Sequence, residues 1–283
     1  MIDVSFLDQL GRFDLMLKRK VHSQYSGERS SSNVGDGLVF SDYREYMPGD
    51  DFRQIDWSLY ARTDKHFIKR YEEEKNMTLH VLLDSSASMD FGKKTTKFEY
   101  GAMIGLGFSF LSIKANERFD FSTFSDKMDL IRPKKGKNAL LDILDFLNHK
   151  KVKGESNFYD SLCSFKNQLK SKSIVVLISD FLFDTKELEE SLKLFKKSEV
   201  YVIQVLDSEE LKFNMAGDLV LKDSEKGSII KTFISNRLRN VYRNKMDVHI
   251  AEMKKTCGAM NAKFMTVTTD QSIFDTFYKI IRY

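Results

Sequence analysis

Oxygen-bearing side chains gather at three points where apolar runs of the chain end. Asp84, Ser86 and Ser88 sit in DSSASM, directly after HVLL. Ser156 lies in GESN, just before a run that starts at Phe158, and Asp180 directly follows IVVLIS. Alternate spacing lets a curling loop aim the oxygens of Asp84, Ser86 and Ser88 at one point. Ser156 adds a hydroxyl and Asp180 a second carboxylate. Such a set suits a hard cation: Mg²⁺, or another divalent ion such as Mn²⁺ or Ca²⁺. These ions take oxygen donors, and Mg²⁺ keeps several waters and typically uses one or two carboxylates. Neutral hydroxyls do not quench the ion's charge, so an open position attracts an incoming carboxylate. That is chemistry for binding through a metal. A metal-assisted hydrolase using the same five oxygens is the alternative, but only Glu155, beside Ser156, offers it a base. A structural turn, in which Asp and Ser merely cap helices, is the third reading.

The elements that must position these residues follow from hydrophobic pattern. From Met77 onward, apolar strands alternate with amphipathic helices. Strands are expected at 78–83, 118–124, 127–131, 174–179 and 200–206, then near 219–222, 229–233 and 263–267. Helices are expected at 97–115, 137–149, 158–170, 185–197, 235–257 and 271–281. A continuous apolar strand such as IVVLIS is buried on both faces, which calls for a mostly parallel sheet with helices on each side. The fold class is α/β, a doubly wound Rossmann-like sheet. In such sheets ligands bind beyond the carboxyl ends of the strands, where the three oxygen clusters fall. Gly101, Gly105 and Gly107, inside the expected 97–115 helix, read as close packing of that helix on its neighbours. Residues 1–76 are more polar and rich in turn formers, and form a small β-containing annex. The division is 1–76 and 77–283.

Composition narrows the classes. The 283 residues carry 45 basic and 41 acidic side chains and are 42% hydrophobic, which excludes a disordered chain. No apolar run reaches the roughly 18 residues needed for a membrane span, and MIDVSFLDQL has no signal-peptide pattern. Two cysteines far apart make neither a disulfide framework nor a zinc cluster. A cytoplasmic protein is expected. The basic clusters at 132–137 and 150–153, and along Arg237, Arg239, Arg243 and Lys245, lack interleaved aromatics, so nucleic acid is not an expected partner. The first two clusters flank the Ser156 loop and are placed to steer an acidic partner toward it.

The motifs VLLDSSASM, GESNFYDSL and VLISDF resemble the three loops of the metal-ion-dependent adhesion site of von Willebrand factor A domains. The resemblance implies a first loop of Asp84, Ser86 and Ser88, with Ser156 at the family's Thr position and Asp180 as the late Asp. A second segment, GDGLVFSDYREYMPGDDFRQIDWSLYARTDKHFIKRYEEEKN, is similar to the signature that precedes this domain in the DUF58 family. The matching positions include Gly35, Gly37, Arg44, Pro48, Asp50, Arg53, Asp56, Trp57 and Arg62. The resemblance implies a non-enzymatic, metal-dependent adaptor that partners a MoxR-type AAA+ ATPase in the assembly or maturation of other proteins.

Two further expectations concern packing. Arg44, Asp50, Arg53, Asp56 and Arg62 read as an Arg–Asp network that locks the annex down, with Trp57 as its hydrophobic pin. Apolar residues border all three loops: Met89 and Phe91, Phe158, then Phe181 and Phe183. Where exposed, they would form a hydrophobic rim around the metal position, suited to a protein partner that offers an Asp or Glu.

Overall fold

The computed structural model describes residues 1–13, 39–72, 78–131, 138–167, 169, 173–213, 217–222 and 229–282. The basic cluster at 132–137 and the signature glycines Gly35 and Gly37 lie outside the described residues. The chain divides into two compact units, Met1–Val21 with Met77–Tyr283, and His22–Asn76. The expected annex therefore gives up its first stretch. Helix α1, described over residues 5–13, buries Phe6 and Leu10, with Ile2 just before it, in the core of the larger unit. Asn148 clamps the chain start: its Oδ1 accepts from the Ile2 N–H at 2.8 Å, and its Nδ2 donates to the Ile2 carbonyl at 3.0 Å.

The smaller unit contains β1 (Val39–Glu45), a 3-10 turn (Phe52–Gln54), α2 (Trp57–Thr63) and β2 (Phe67–Glu72). The two strands pair antiparallel, with a bulge between Phe40 and Asp42. Asp51 caps the 3-10 turn and Asp56 caps α2.

In the larger unit, β3 (Thr78–Asp84) leads through α3 (Lys97–Lys114) to β4 (Arg118–Phe124) and β5 (Met128–Ile131). Helices α4 (Asn138–His149) and α5 (Phe158–Lys166) then return the chain to β6 (Ser173–Ser179). Next come α6 (Thr185–Lys193), β7 (Glu199–Leu206) and α7 (Ser208–Lys212). A hairpin of β8 (Gly217–Lys222) and β9 (Ile229–Ile234) precedes α8 (Asn236–Ala259), β10 (Lys263–Thr268) and α9 (Ile273–Arg282). The central sheet runs β10-β7-β6-β3-β4-β5, parallel except for the β4–β5 pair. This is the doubly wound α/β fold that the periodicity calls for. Its two faces are filled separately. Val81, Leu83, Val176 and Ile178 face α3, α4 and α9, whereas Leu82, Val175 and Leu177 face α5, α6 and α8.

The chain leaves β3 toward β4 on one side and later adds β6 on the other, so the sheet order reverses between β3 and β6. Asp84 ends β3 and Asp180 follows β6, and both therefore stand at this switch point, where α/β sheets bind ligands. Helices expected at 158–170 and 185–197 end earlier, at Lys166 and Lys193. After Lys193 the bonds shorten to three-residue turns, as in Phe195 N–H to the Leu192 carbonyl at 3.0 Å, a tightening common at helix ends. Helix α7 was not anticipated, although its capping box, Asp207 with Glu210, is visible as D-x-x-E.

The glycines of α3 do pack closely. A methyl group at Gly101 would meet Leu83 and Ile178 at 2.9 Å, and one at Gly105 would meet Phe121 at 2.7 Å. Gly258 of α8, by contrast, has open space. Gly105→Ala is therefore expected to lose about 1–2 kcal/mol by overpacking, despite its gain in helix propensity. Gly258→Ala should gain up to about 1 kcal/mol. Urea denaturation of the two variants checks the pair, and equal effects would contradict the close approach of α3.

Candidate metal centre

The first two loops are stitched to each other and to the end of β4 by backbone bonds before any side chain takes part. Ser85 donates its N–H to the Phe124 carbonyl at 2.7 Å, and Ala87 donates to Gly154 at 3.0 Å. Lys153 donates back to Ser85 at 3.0 Å. Gly154 has φ +91°, and a methyl group there would strike the Asp126 carboxylate at 2.7 Å. Asp126 in turn accepts from the Glu155 N–H at 2.9 Å, which fixes the residue before Ser156. A Gly in the second loop is thus required by both backbone angle and space.

Four of the five expected oxygen donors converge around Asp84. Its Oδ1 accepts from the Ser86 N–H at 2.8 Å, and its Oδ2 lies 3.4 Å from the Ser156 hydroxyl. The Ser86 and Ser88 hydroxyls are 3.1 Å apart. A residue not singled out in the sequence, Ser179, donates to Asp84 Oδ2 at 2.7 Å. Asp84 is 1% exposed, whereas Ser88 and Ser156 are half-buried, so the hydroxyls form the outer side of the site. Burial, and then the neighbouring Asp180 charge, push the Asp84 carboxyl up to about 6, against the hydrogen bonds from Ser86 and Ser179. Among the described residues no Lys, Arg or His forms an ion pair with Asp84.

Asp180 is held differently. Its Oδ2 receives the Lys97 ammonium at 2.8 Å, and the same ammonium reaches Glu210 Oε1 at 3.0 Å. The Lys97 side chain is 0% exposed. Burial alone would lower its pKa, but the charges of Asp180 and Glu210 outweigh that and leave it raised. The Asp180 carbonyl accepts from Gln204 Nε2 at 2.9 Å, and Phe181 then turns the chain with φ +49°. A left-handed phenylalanine costs of order 1 kcal/mol. It is held by its buried ring, edge-on to Phe158 at 5.6 Å, and by its carbonyl, 2.8 Å from His249 Nε2.

The donor chemistry fits a hard divalent cation. Asp84, Ser86, Ser88 and Ser156, with Asp180 as a second carboxylate, are the residues that would hold it, and Asp84 is a buried carboxylate with no ion-pair partner among the described residues. Among the described residues, no three His, Cys, Asp or Glu side chains converge, so a cation here would draw on the hydroxyls for part of its shell. Among the described residues, Lys97 is the cation that pairs with Asp180 and Glu210, and none pairs with Asp84.

The expected hydrophobic rim is only partly present. Met89, Phe158 and Phe181 are fully buried and belong to the core, because each loop turns one apolar residue inward as it leaves the sheet. Phe91 is 38% exposed, Leu182 is 44% exposed, and Phe183 is half-buried against Phe158. In the annex, Arg44 pairs with Asp50 at 2.8 Å, and Asp50 also caps the turn through the Met47 N–H. The Arg44 hydrogen bond and the Met47 N–H hold the Asp50 carboxyl below its ordinary range. Arg53, Arg62 and Asp56 also serve local structure. Arg53 gives its backbone N–H to Asp51, Arg62 donates to the Ser58 carbonyl, and Asp56 caps α2 while accepting from Tyr43. Trp57 is not a buried pin. It opens α2, a helix with no buried residue, and is 57% exposed, edge-on to Tyr60 and His66.

Residues 42–252 match the family described as protein of unknown function DUF58. The chain belongs to the DUF58 family. Its similar relatives include uncharacterized proteins of Mycobacterium bovis and Mycobacterium tuberculosis, each 23% identical over 93% of this chain and 84% of theirs. A shorter uncharacterized protein of Mycobacterium avium is 29% identical over 35% of this chain and 59% of its own. Among solved structures, BatB from Bacteroides thetaiotaomicron aligns at 12% identity, TM-score 0.45, over 73% of this chain and 97% of that one. The SpRpn10 VWA domain aligns at 10% identity, TM-score 0.41, over 72% of this chain and 94% of that one.

The Asp84 environment in this DUF58 protein makes stability depend on pH. Its folded pKa lies above the ordinary 3.8, so the fold favours the protonated acid. That contribution is full below about 3.8 and is lost as pH rises through about 6, amounting to at most ~3 kcal/mol. In EDTA, the stability of the wild type relative to Asp84→Asn should fall between pH 4 and 7. A difference that stays flat across this range would refute the buried, uncompensated carboxyl.

Proposed function

We propose that this DUF58 protein is a divalent-cation-dependent protein-binding module rather than an enzyme. The observation that carries the reading is Asp84: a buried carboxylate without a cationic partner among the described residues, beside hydroxyls that open toward solvent at Ser88 and Ser156. A bound Mg²⁺ would supply positive charge with room for an outside ligand. The protein's own residues hold the first loop, shield Asp84 and present the hydroxyl side. Phe91 and Leu182, exposed beside the loops, suit a protein partner whose Asp or Glu approaches there. Lys97 is locked between two carboxylates, and no histidine ring contacts the five oxygens among the described residues, which argues against acid–base chemistry at this site.

A MoxR-type AAA+ ATPase is the partner class that the family resemblance supports, with the assembly or maturation of other proteins as the corresponding role. No helix of the described residues is long and apolar enough to cross a membrane. A cytoplasmic setting belongs to the same proposal, in keeping with the unpaired Cys163 and Cys257.

Saturating Mg²⁺ should raise the melting temperature of the wild type and leave Asp84→Ala unchanged. An MoxR-type ATPase should be retained by the wild type in Mg²⁺ and lost in EDTA or with Ser86→Ala. Equal Mg²⁺ responses of wild type and Asp84→Ala would sink the metal reading. Phosphatase or esterase turnover that depends on Asp84 would replace it with the hydrolase.

A further inference from the structure

Of the two buried carboxylates at the sheet's switch point, one already has a counter-ion built into the chain. Lys97 is the first residue of α3, directly after the Thr96 cap. It stands four residues before Gly101 and eight before Gly105, and these glycines touch the sheet. Helical spacing therefore puts Lys97 on the sheet-facing stripe. Its ammonium cannot reach water: the side chain is 0% exposed, 2.8 Å from Asp180 and 3.0 Å from Glu210. Each carboxylate is anchored in turn. Asp180 Oδ1 accepts from the Leu182 N–H at 3.3 Å, and Glu210 Oε2 accepts from the Asp207 N–H at 3.3 Å in the α7 capping box.

We propose that Lys97 is an internal counter-ion that keeps Asp180 from the cation, so that the metal is held by the Asp84 side alone and only weakly until a partner carboxylate arrives. The inference rests on the metal reading above and goes further, because it removes Asp180 from the working donor set. With Asp84 ionised, the three carboxylates and one ammonium leave two negative charges, which one divalent ion balances. Freed from Lys97, the same pocket would carry three negative charges and bind the cation more tightly. Weak intrinsic affinity has a functional consequence. A partner carboxylate that completes the shell raises cation affinity, and by linkage the cation raises partner affinity by the same factor. Lys97 thus makes the two binding events depend on each other.

The test uses isothermal titration of Mg²⁺ and Mn²⁺ into the full chain, with folding checked by circular dichroism. Lys97→Gln should bind either ion about tenfold or more tightly than the wild type. It should also melt lower than the wild type in EDTA and recover more on adding Mg²⁺. The double variant Lys97→Met with Asp180→Asn removes the pair without changing net charge, and should bind within about threefold of the wild type. Equal or weaker binding by Lys97→Gln, or a tenfold loss in the double variant, overturns the counter-ion role while leaving the metal reading intact. A variant that stays unfolded at saturating Mg²⁺ also counts against it, since the ion should then replace the missing ammonium. Absence of binding by the wild type and both variants overturns the metal reading and this inference together.

Discussion

Parallel pairing of β3 with β6 places two carboxylates at the same buried end of the sheet, and much of the neighbouring structure answers that constraint. Register aligns Leu83 with Ile178, so Asp84 comes level with Ser179 and Asp180 follows one residue beyond, close enough for its charge to act on Asp84. Two like charges in a dry site cannot both ionise without compensation. The chain meets the two in different ways. Asp180 receives an ammonium carried in by α3. Asp84 receives hydroxyls and one backbone N–H, which stabilise an anion far less than a cation does, and its raised pKa records the shortfall. The asymmetry of the site follows from this difference.

The approach of α3 to the sheet links packing to electrostatics. Without side chains at Gly101 and Gly105, the helix settles onto Val81, Leu83, Phe121 and Ile178. The same close approach brings the first turn of α3 over the strand exits and lets a lysine stem reach Asp180 while buried along its whole length. A helix held farther out by larger residues would leave that ammonium nearer solvent, and Asp180 would compete with Asp84 for any cation. The glycine stripe therefore serves the site as well as the core.

Most of the α/β framework is legible in the sequence because apolar runs such as IVVLIS have few other solutions, and because each helix shows its period. The loop oxygens are legible for a related reason: Asp and Ser at strand ends stand out against apolar neighbours. What stays hidden is direction. Lys97 reads as an ordinary solvated lysine unless its four-residue spacing from Gly101 is taken as a sign of facing. Ile2, Phe6 and Leu10 form a similar stripe, masked by the charged residues between them, and so residues 1–13 look like part of the annex. Met89, Phe158 and Phe181 sit beside the loops just as Phe91 does. Only the backbone turns, including the left-handed Phe181, decide which rings point inward.

The layering of donors bears on how a partner could meet a cation here. The carboxylates lie deepest, while the hydroxyls of Ser88 and Ser156 lie half-buried above them. A carboxylate arriving from solvent would meet neutral oxygens first, with the Asp84 charge lying deeper. Had the acids formed the outer layer, they would repel the same ligand at closest range. With charge beneath and hydroxyls above, a cation bound there would keep an outward face attractive to an anion. In that arrangement Phe91 and Leu182 would add apolar contact around a charged centre, and the charge would set where a partner docks more than how much surface it buries.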